Sequence, residues 1–281
     1  MLRIFVAAIM ASCLVTAGWA QSPATATVPA KSASSKPAAK KAAPKAKPAA
    51  KQAAAAETGP CRLGVISVIG ETFWVQKFGL TIFETEGTEI PIDWGLDDLV
   101  FARVRAATGA DPTIRRIAFA KGAFERFYNP KSRLIPDPSE RLPAIIRSIT
   151  PNAGCDRYLV VTKVRGEIPG TNLVIEGVGT YSRGLGSLIR HAHLFANFSL
   201  TLIDGRTYEQ INRPFANFGA NLAASLSRSM RLTEDPLTKL DNSLFPEPPA
   251  SASNDATLRE RTRALVAAGL DQMLPGYLKE E

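Results

Sequence analysis

The sequence predicts an α/β fold: a single domain with a mixed sheet, antiparallel hairpins at one side and helices on one face, preceded by a disordered linker. Three observations predict it. From Cys61 onward, short β-branched runs alternate with stretches of helical period. One run, Tyr158-Leu-Val-Val-Thr-Lys-Val164, is apolar on both faces except at Lys163, as an interior strand requires. Ahead of Cys61 the composition changes so sharply that the two parts cannot share a core.

Taken in order, Leu63–Ile69 reads as a β-branched strand, and Gly70-Glu71 as a tight turn. Thr72 to Phe83 follows as one or two strands, and Glu86-Gly87-Thr88 suggests another turn. Asp93 reads as a helix N-cap, because Leu96, Leu99, Val100, Val104 and Ala107 then recur at helical spacing, with Gly109 as the stop. Asp97 and Asp98 sit in its first turn, where carboxylates favour the helix dipole. Ile114 to Ala120 reads as a strand. Ser139 is the cap of a second helix carrying Leu142, Ile145, Ile146 and Ile149, with Pro143 in its first turn, where a missing N–H costs little. After Tyr158–Val164 come strands at Leu173–Ser182 and His193–Ile203. In the second, Leu194, Ala196, Phe198, Leu200 and Leu202 line one face. Asp204-Gly205 joins this run to Arg206–Asn212 as a hairpin turn. Residues 235–256 are rich in Pro, Ser and Asn and read as loop, and a last helix runs from Thr257 to Leu274.

The formal net charge of +8 is confined to one segment. Residues 1–56 hold Arg3, Lys31, Lys36, Lys40, Lys41, Lys45, Lys47 and Lys51 and no acid, and the remainder is neutral. A basic folded domain gripping nucleic acid is therefore not expected. Residues 1–20 read as a signal peptide: Arg3, an apolar run from Ile4 to Ala17, and small residues Gly18 and Ala20 before a cut at Gln21. Met10-Ala-Ser-Cys13 offers an alternative lipoprotein site with Cys13 as the lipid-bearing terminus. No later segment reads as membrane-spanning. The expectation is a periplasmic or secreted protein, with a linker over 21–60 and a globular domain over 61–281.

Residues 22–56 contain 15 Ala, 7 Lys and 5 Pro, too polar and proline-interrupted to fold. In polyproline form this stretch reaches at most about 110 Å. It serves either as a spacer or, through its seven lysines, as a tether to an anionic surface.

The mature chain keeps Cys61 and Cys155, each just ahead of a predicted strand. If those strands are parallel neighbours, the two cysteines lie within reach of a disulfide; two free thiols are the alternative. No catalytic, cofactor-binding or metal site is assigned. His191-x-His193 places two rings on one strand face, but a third ligand such as Asp204 or Glu176 is not dictated by spacing. The glycine-dense Gly177–Gly186 opens no helix, so it lacks the phosphate-cradling device. It reads as a bulged strand and a hairpin loop, with Tyr181, Arg183 and Arg190 as a possible binding loop.

The segments Gly154-Cys-Asp-Arg-Tyr-Leu-Val-Val-Thr-Lys-Val164 and Phe198-Ser-Leu-Thr-Leu-Ile-Asp-Gly-Arg-Thr207 resemble uncharacterised exported proteins of rhizobial-type alphaproteobacteria. More distantly, the order helix, loop, "Asp-Tyr-strand" and a strand ending in Asp-Gly is similar to envelope α/β domains. These include the penicillin-binding-protein activator lipoproteins, the periplasmic region of the curli secretion subunit and the amino-terminal domain of the Tol translocation protein. That resemblance implies a protein-binding module without a cofactor. The expected function is a non-enzymatic exported interaction module that binds an envelope protein or a cell-wall polymer. The alternatives are a carboxylate-based hydrolase or small-ligand binder, and a purely structural envelope protein.

Overall fold

In the computed structural model, the described residues are 59–79, 85–131, 137–168, 173–185, 189–212 and 238–278. They build a nine-stranded mixed sheet. The strands are β1 (Cys61–Ser67), β2 (Thr72–Phe78), β3 (Glu86–Pro91), β4 (Ile114–Arg116), β5 (Cys155–Lys163), β6 (Arg165–Glu167), β7 (Val174–Leu185), β8 (Ile189–Asp204) and β9 (Lys239–Leu240). Their order is β3-β2-β7-β8-β5-β1-β4, with β6 paired to β7 and β9 to β8. β1 runs parallel to β4 and β5, and β2 parallel to β7; the other pairs are antiparallel. The mixed sheet read from the sequence is therefore present, and β5 is interior, between β8 and β1.

Helices cover both faces of the sheet, not one. On the first face, Leu63, Val65, Leu159, Val161, Leu194, Leu200 and Leu202 pack against α1 (Leu96–Ala107) and the C-terminal helix Ala256–Leu278. On the second, Ile66, Tyr158, Val160 and Ile203 pack against Phe124 and α3 (Leu142–Ile149), and a short α2 (Glu125–Tyr128) lies beside them. The long C-terminal helix is α4 here. The cause is the apolar character of β1 and β5 on both sides. A parallel pair buried in this way needs a layer on each face, and Leu142, Ile145 and Ile146 supply the second.

Several boundaries differ from expectation for local reasons. Glu86–Thr88 belongs to β3 and does not form a turn. α1 begins after Gly95, whose φ of 62° is left-handed and favours glycine, so Asp93 is not the cap. Arg263 of α4 donates to the carbonyls of Trp94 and Gly95 at 2.6 and 3.0 Å, tying that helix start to the C-terminal helix. β4 stops at Arg116 rather than continuing to Ala120. Asp137, not Ser139, caps a 3₁₀ turn over Pro138–Glu140, and α3 follows with Pro143 in its first turn. Within 235–256, β9 and two 3₁₀ turns (Asn242–Leu244 and Pro249–Asn254) replace the expected loop.

Cys61 and Cys155 are direct partners in the parallel β1–β5 register and form a disulfide, with Cα atoms 4.4 Å apart. The Asp204-Gly205 turn sits over the same end of β5. Asp204 accepts from the backbone N–H groups of Arg206 and Thr207, both at 2.8 Å, which holds its carboxyl below the usual carboxylate range. Gly205 donates to Asp156 O at 2.8 Å, and a Cβ on it would lie 1.8 Å from Cys155 O. Only glycine permits that approach. The returning segment pairs as an isolated bridge, Ile203 with Gln210.

Candidate functional site

On the second face of the sheet a cleft of about 640 Å³ opens beside α2. Its walls come from five separated stretches: the end of β1 with the start of β2, β3, the Phe119–Asn129 segment, the β5–β6 junction, and β7. Phe124 is buried and meets Phe119 edge-on at 5.3 Å, which anchors the short α2. Four carboxylates (Glu71, Glu89, Glu125, Glu176) and two cations (Lys163, Arg165) face it, with Trp74, Gln76, Tyr128 and Asn129 among them.

Lys163 is the central group. It ends β5, the most apolar strand, and its side chain is only 14 % exposed. Its stem lies over Gly177, where a Cβ would come within 2.9 Å of Lys163 Cδ. Gly177 has a φ of 69° and sits where β7 passes from pairing with β6 to pairing with β8, so a glycine is required twice over. The ammonium donates to Thr72 Oγ1 at 3.0 Å, reaches Glu89 Oε1 at 3.5 Å and lies 5.2 Å from the Tyr128 ring centroid. The backbone N–H of Lys163 donates to the Tyr128 hydroxyl at 3.0 Å. Burial, with the negative charges of Glu176, Asp97 and Glu71, raises the Tyr128 pKa well above its ordinary value. The phenol therefore keeps its proton and remains a donor as well as an acceptor.

Three further charged groups have partners within the cleft. Arg165 Nε donates to Glu176 Oε2 at 2.8 Å, and Asn129 Nδ2 donates to Glu125 Oε1 at 2.6 Å. Just behind the cleft, Asp97 closes the β1–β2 turn: Ser67 Oγ and the Ile69 N–H donate to its Oδ1 at 2.5 and 3.1 Å. Burial pushes this carboxyl above its ordinary pKa despite those bonds. Asp98 pairs with Arg116. The arrangement presents donors and acceptors side by side on a rigid floor, which suits recognition of a polar ligand.

Tyr181 and Arg183 do not stand in a loop. Both lie within β7, opposite His193 and His191, and Arg190 lies in β8 opposite Gly184. The antiparallel ladder continues past Ser182 through Arg183–His191 to Leu185–Ile189, so the two strands extend as a ribbon instead of ending. The Tyr181 ring stacks on His193 at 5.1 Å and approaches Phe78 and Phe195 at 6.0 and 6.3 Å, so it serves packing. Residues 186–188 lie outside the described residues, as do Lys31, Lys36, Lys40, Lys41, Lys45, Lys47 and Lys51 and the whole of 1–58. Among the described residues no three His, Cys, Asp or Glu side chains converge as metal ligands, and no helix is long and apolar enough to cross a membrane.

Sequence reasoning missed the cleft. Lys163 was its one visible signal, a single cation at the end of an otherwise apolar strand. No protein-family model, curated protein or solved structure matches the chain.

Proposed function

We propose that this chain is an exported, non-enzymatic interaction module that recognises an envelope protein or cell-wall polymer. The observation that carries this reading is the 640 Å³ cleft, in which Lys163 is held against Glu89 and Arg165 against Glu176. Groups fixed in this way bind without reorganising. The Cys61–Cys155 disulfide suits an oxidising compartment, in keeping with a signal peptide over 1–20 and a periplasmic or secreted location. The Lys/Ala/Pro linker over 21–60 extends the module's reach and supplies an anionic-surface contact through its lysines.

Co-sedimentation with purified, protein-free cell wall, beside cross-linked capture from the envelope, tests the reading. Val174 borders the cleft and is 48 % exposed, so Val174→Trp obstructs the mouth without disturbing the core. The substitution should remove most of the binding. Equal binding by the variant, or recovery of abundant background proteins alone, refutes the cleft as the recognition site.

A second reading, a carboxylate-based hydrolase or small-ligand binder, is favoured by Glu71 and Glu125, which share the cleft without pairing to its cations. Turnover of wall-derived substrates that disappears in Glu71→Gln or Glu125→Gln would select it.

A further inference from the structure

We infer that the cleft binds a saccharide, as a chain of two or three sugar units. This inference rests on the reading of the cleft as a recognition site.

The argument begins with charge. An anion such as a phosphate would face four carboxylates, while Lys163 and Arg165 are already engaged with Glu89 and Glu176. A purely cationic ligand would meet those same two cations. What the cleft offers is alternation: carboxylate acceptors next to ammonium, guanidinium, amide and phenol donors. A sugar hydroxyl donates and accepts at once, so a row of vicinal hydroxyls can satisfy such neighbours in turn. Hydrogen bonds to ionised partners are the stronger ones, and here the partners are ionised on both sides.

The apolar part of the lining fits the same class. Trp74 is partly exposed at the cleft and projects from β2; it pairs across to Glu89 of β3, and Gly87 leaves its ring uncrowded, since even an added Cβ there would come no nearer than 3.7 Å. A flat ring of this kind packs against the C–H face of a pyranose, burying area without demanding charge. Tyr128 adds a second ring whose hydroxyl keeps its proton; among the described residues nothing accepts that proton, so it remains available to a ligand oxygen. The volume lies within the roughly 300–1,000 Å³ that encloses ligands of drug size.

Titrate the mature full-length chain with maltotriose, cellotriose and chitotriose by calorimetry, following Trp fluorescence in parallel. Use trilysine and inorganic phosphate as competing classes. At least one trisaccharide should bind with a Kd of about 1 mM or tighter. Glu71→Gln, Glu125→Gln and Trp74→Leu should each weaken it about tenfold or more. Both Glu variants should keep the wild-type melting temperature, which separates lost contacts from lost fold.

Binding of trilysine or phosphate in preference to every sugar overturns the inference. So does failure of all three sugars to bind. If the sugars fail while Val174→Trp still abolishes capture by wall or envelope, the recognition site stands and only the ligand class is wrong. If the sugars fail and Val174→Trp has no effect, both fall.

Discussion

Removing the Cys61–Cys155 bridge is the sharpest perturbation available. The bond closes a loop with a sequence separation of 94, which spans α1, β4, α2 and α3. In the chain-entropy treatment, freeing a loop of that size costs about 4.7 kcal/mol at 25 °C, through the greater freedom of the unfolded chain. For a domain of this length, about 1 kcal/mol moves Tm by some 2–4 °C, so the expected drop is roughly 10–20 °C. The two cysteines are each 4 % exposed, so Cys61→Ala/Cys155→Ala also loses some packing. Reduction of the wild-type chain, which keeps both sulfur atoms, isolates the cross-link. Urea unfolding should show a lower midpoint together with a larger m-value, because the uncrosslinked denatured chain exposes more surface. A loss below about 1 kcal/mol with an unchanged m-value would refute the reasoning. It would mean that the β1–β5 pairing alone holds these ends together in both states.

Four further outcomes are expected. Gly205→Ala forces a Cβ against Cys155 O and should destabilise by at least about 2 kcal/mol in chemical denaturation, since the backbone it meets cannot swing aside. Gly177→Ala strains a left-handed residue and pushes on the Lys163 stem; it should cost about 1–2 kcal/mol and weaken binding to the cleft. Asp204 has a folded pKa below its unfolded value, so its contribution is complete above about pH 4 and is lost as pH falls through the depressed value. Asp204→Asn keeps an acceptor for the turn and should show a shallower decline of stability below that pH, measured by urea titration at stepped pH. Deleting residues 22–56 should abolish salt-sensitive surface binding and leave the melting temperature nearly unchanged.

The legible parts of the fold share a physical basis. β1, β5 and β8 could be read because burial on one or both faces leaves a period of two or a continuous apolar run in the chain itself. The disulfide followed from them: two cysteines at the starts of two strands meet if those strands are parallel and adjacent, and they are. The Asp204-Gly205 turn was legible because its acceptor and its glycine act within a few residues. Tyr181, Arg183 and Arg190 misled because glycine density resembles a loop, while here it marks a left-handed residue at Gly177 and the close packing of long strands. Gly179, for example, leaves room for the Phe195 ring.

By itself, then, the amino-acid sequence determined the separation of a lysine-rich segment from a neutral domain and the α/β class with a mixed sheet, whereas the cysteine pairing waited on the β1–β5 adjacency. The first two are written in local composition or in the periodicity of a single segment. The tertiary structure alone decided that helices lie on both faces, and that Glu71, Glu89, Lys163, Arg165 and Glu176 meet beside Tyr128 in one cleft. Those residues come from strands whose order is β3-β2-β7-β8-β5-β1-β4, and strand order depends on which buried faces pack together across the whole chain. No single segment carries that information, because long-range pairing is settled by the sum of its contacts.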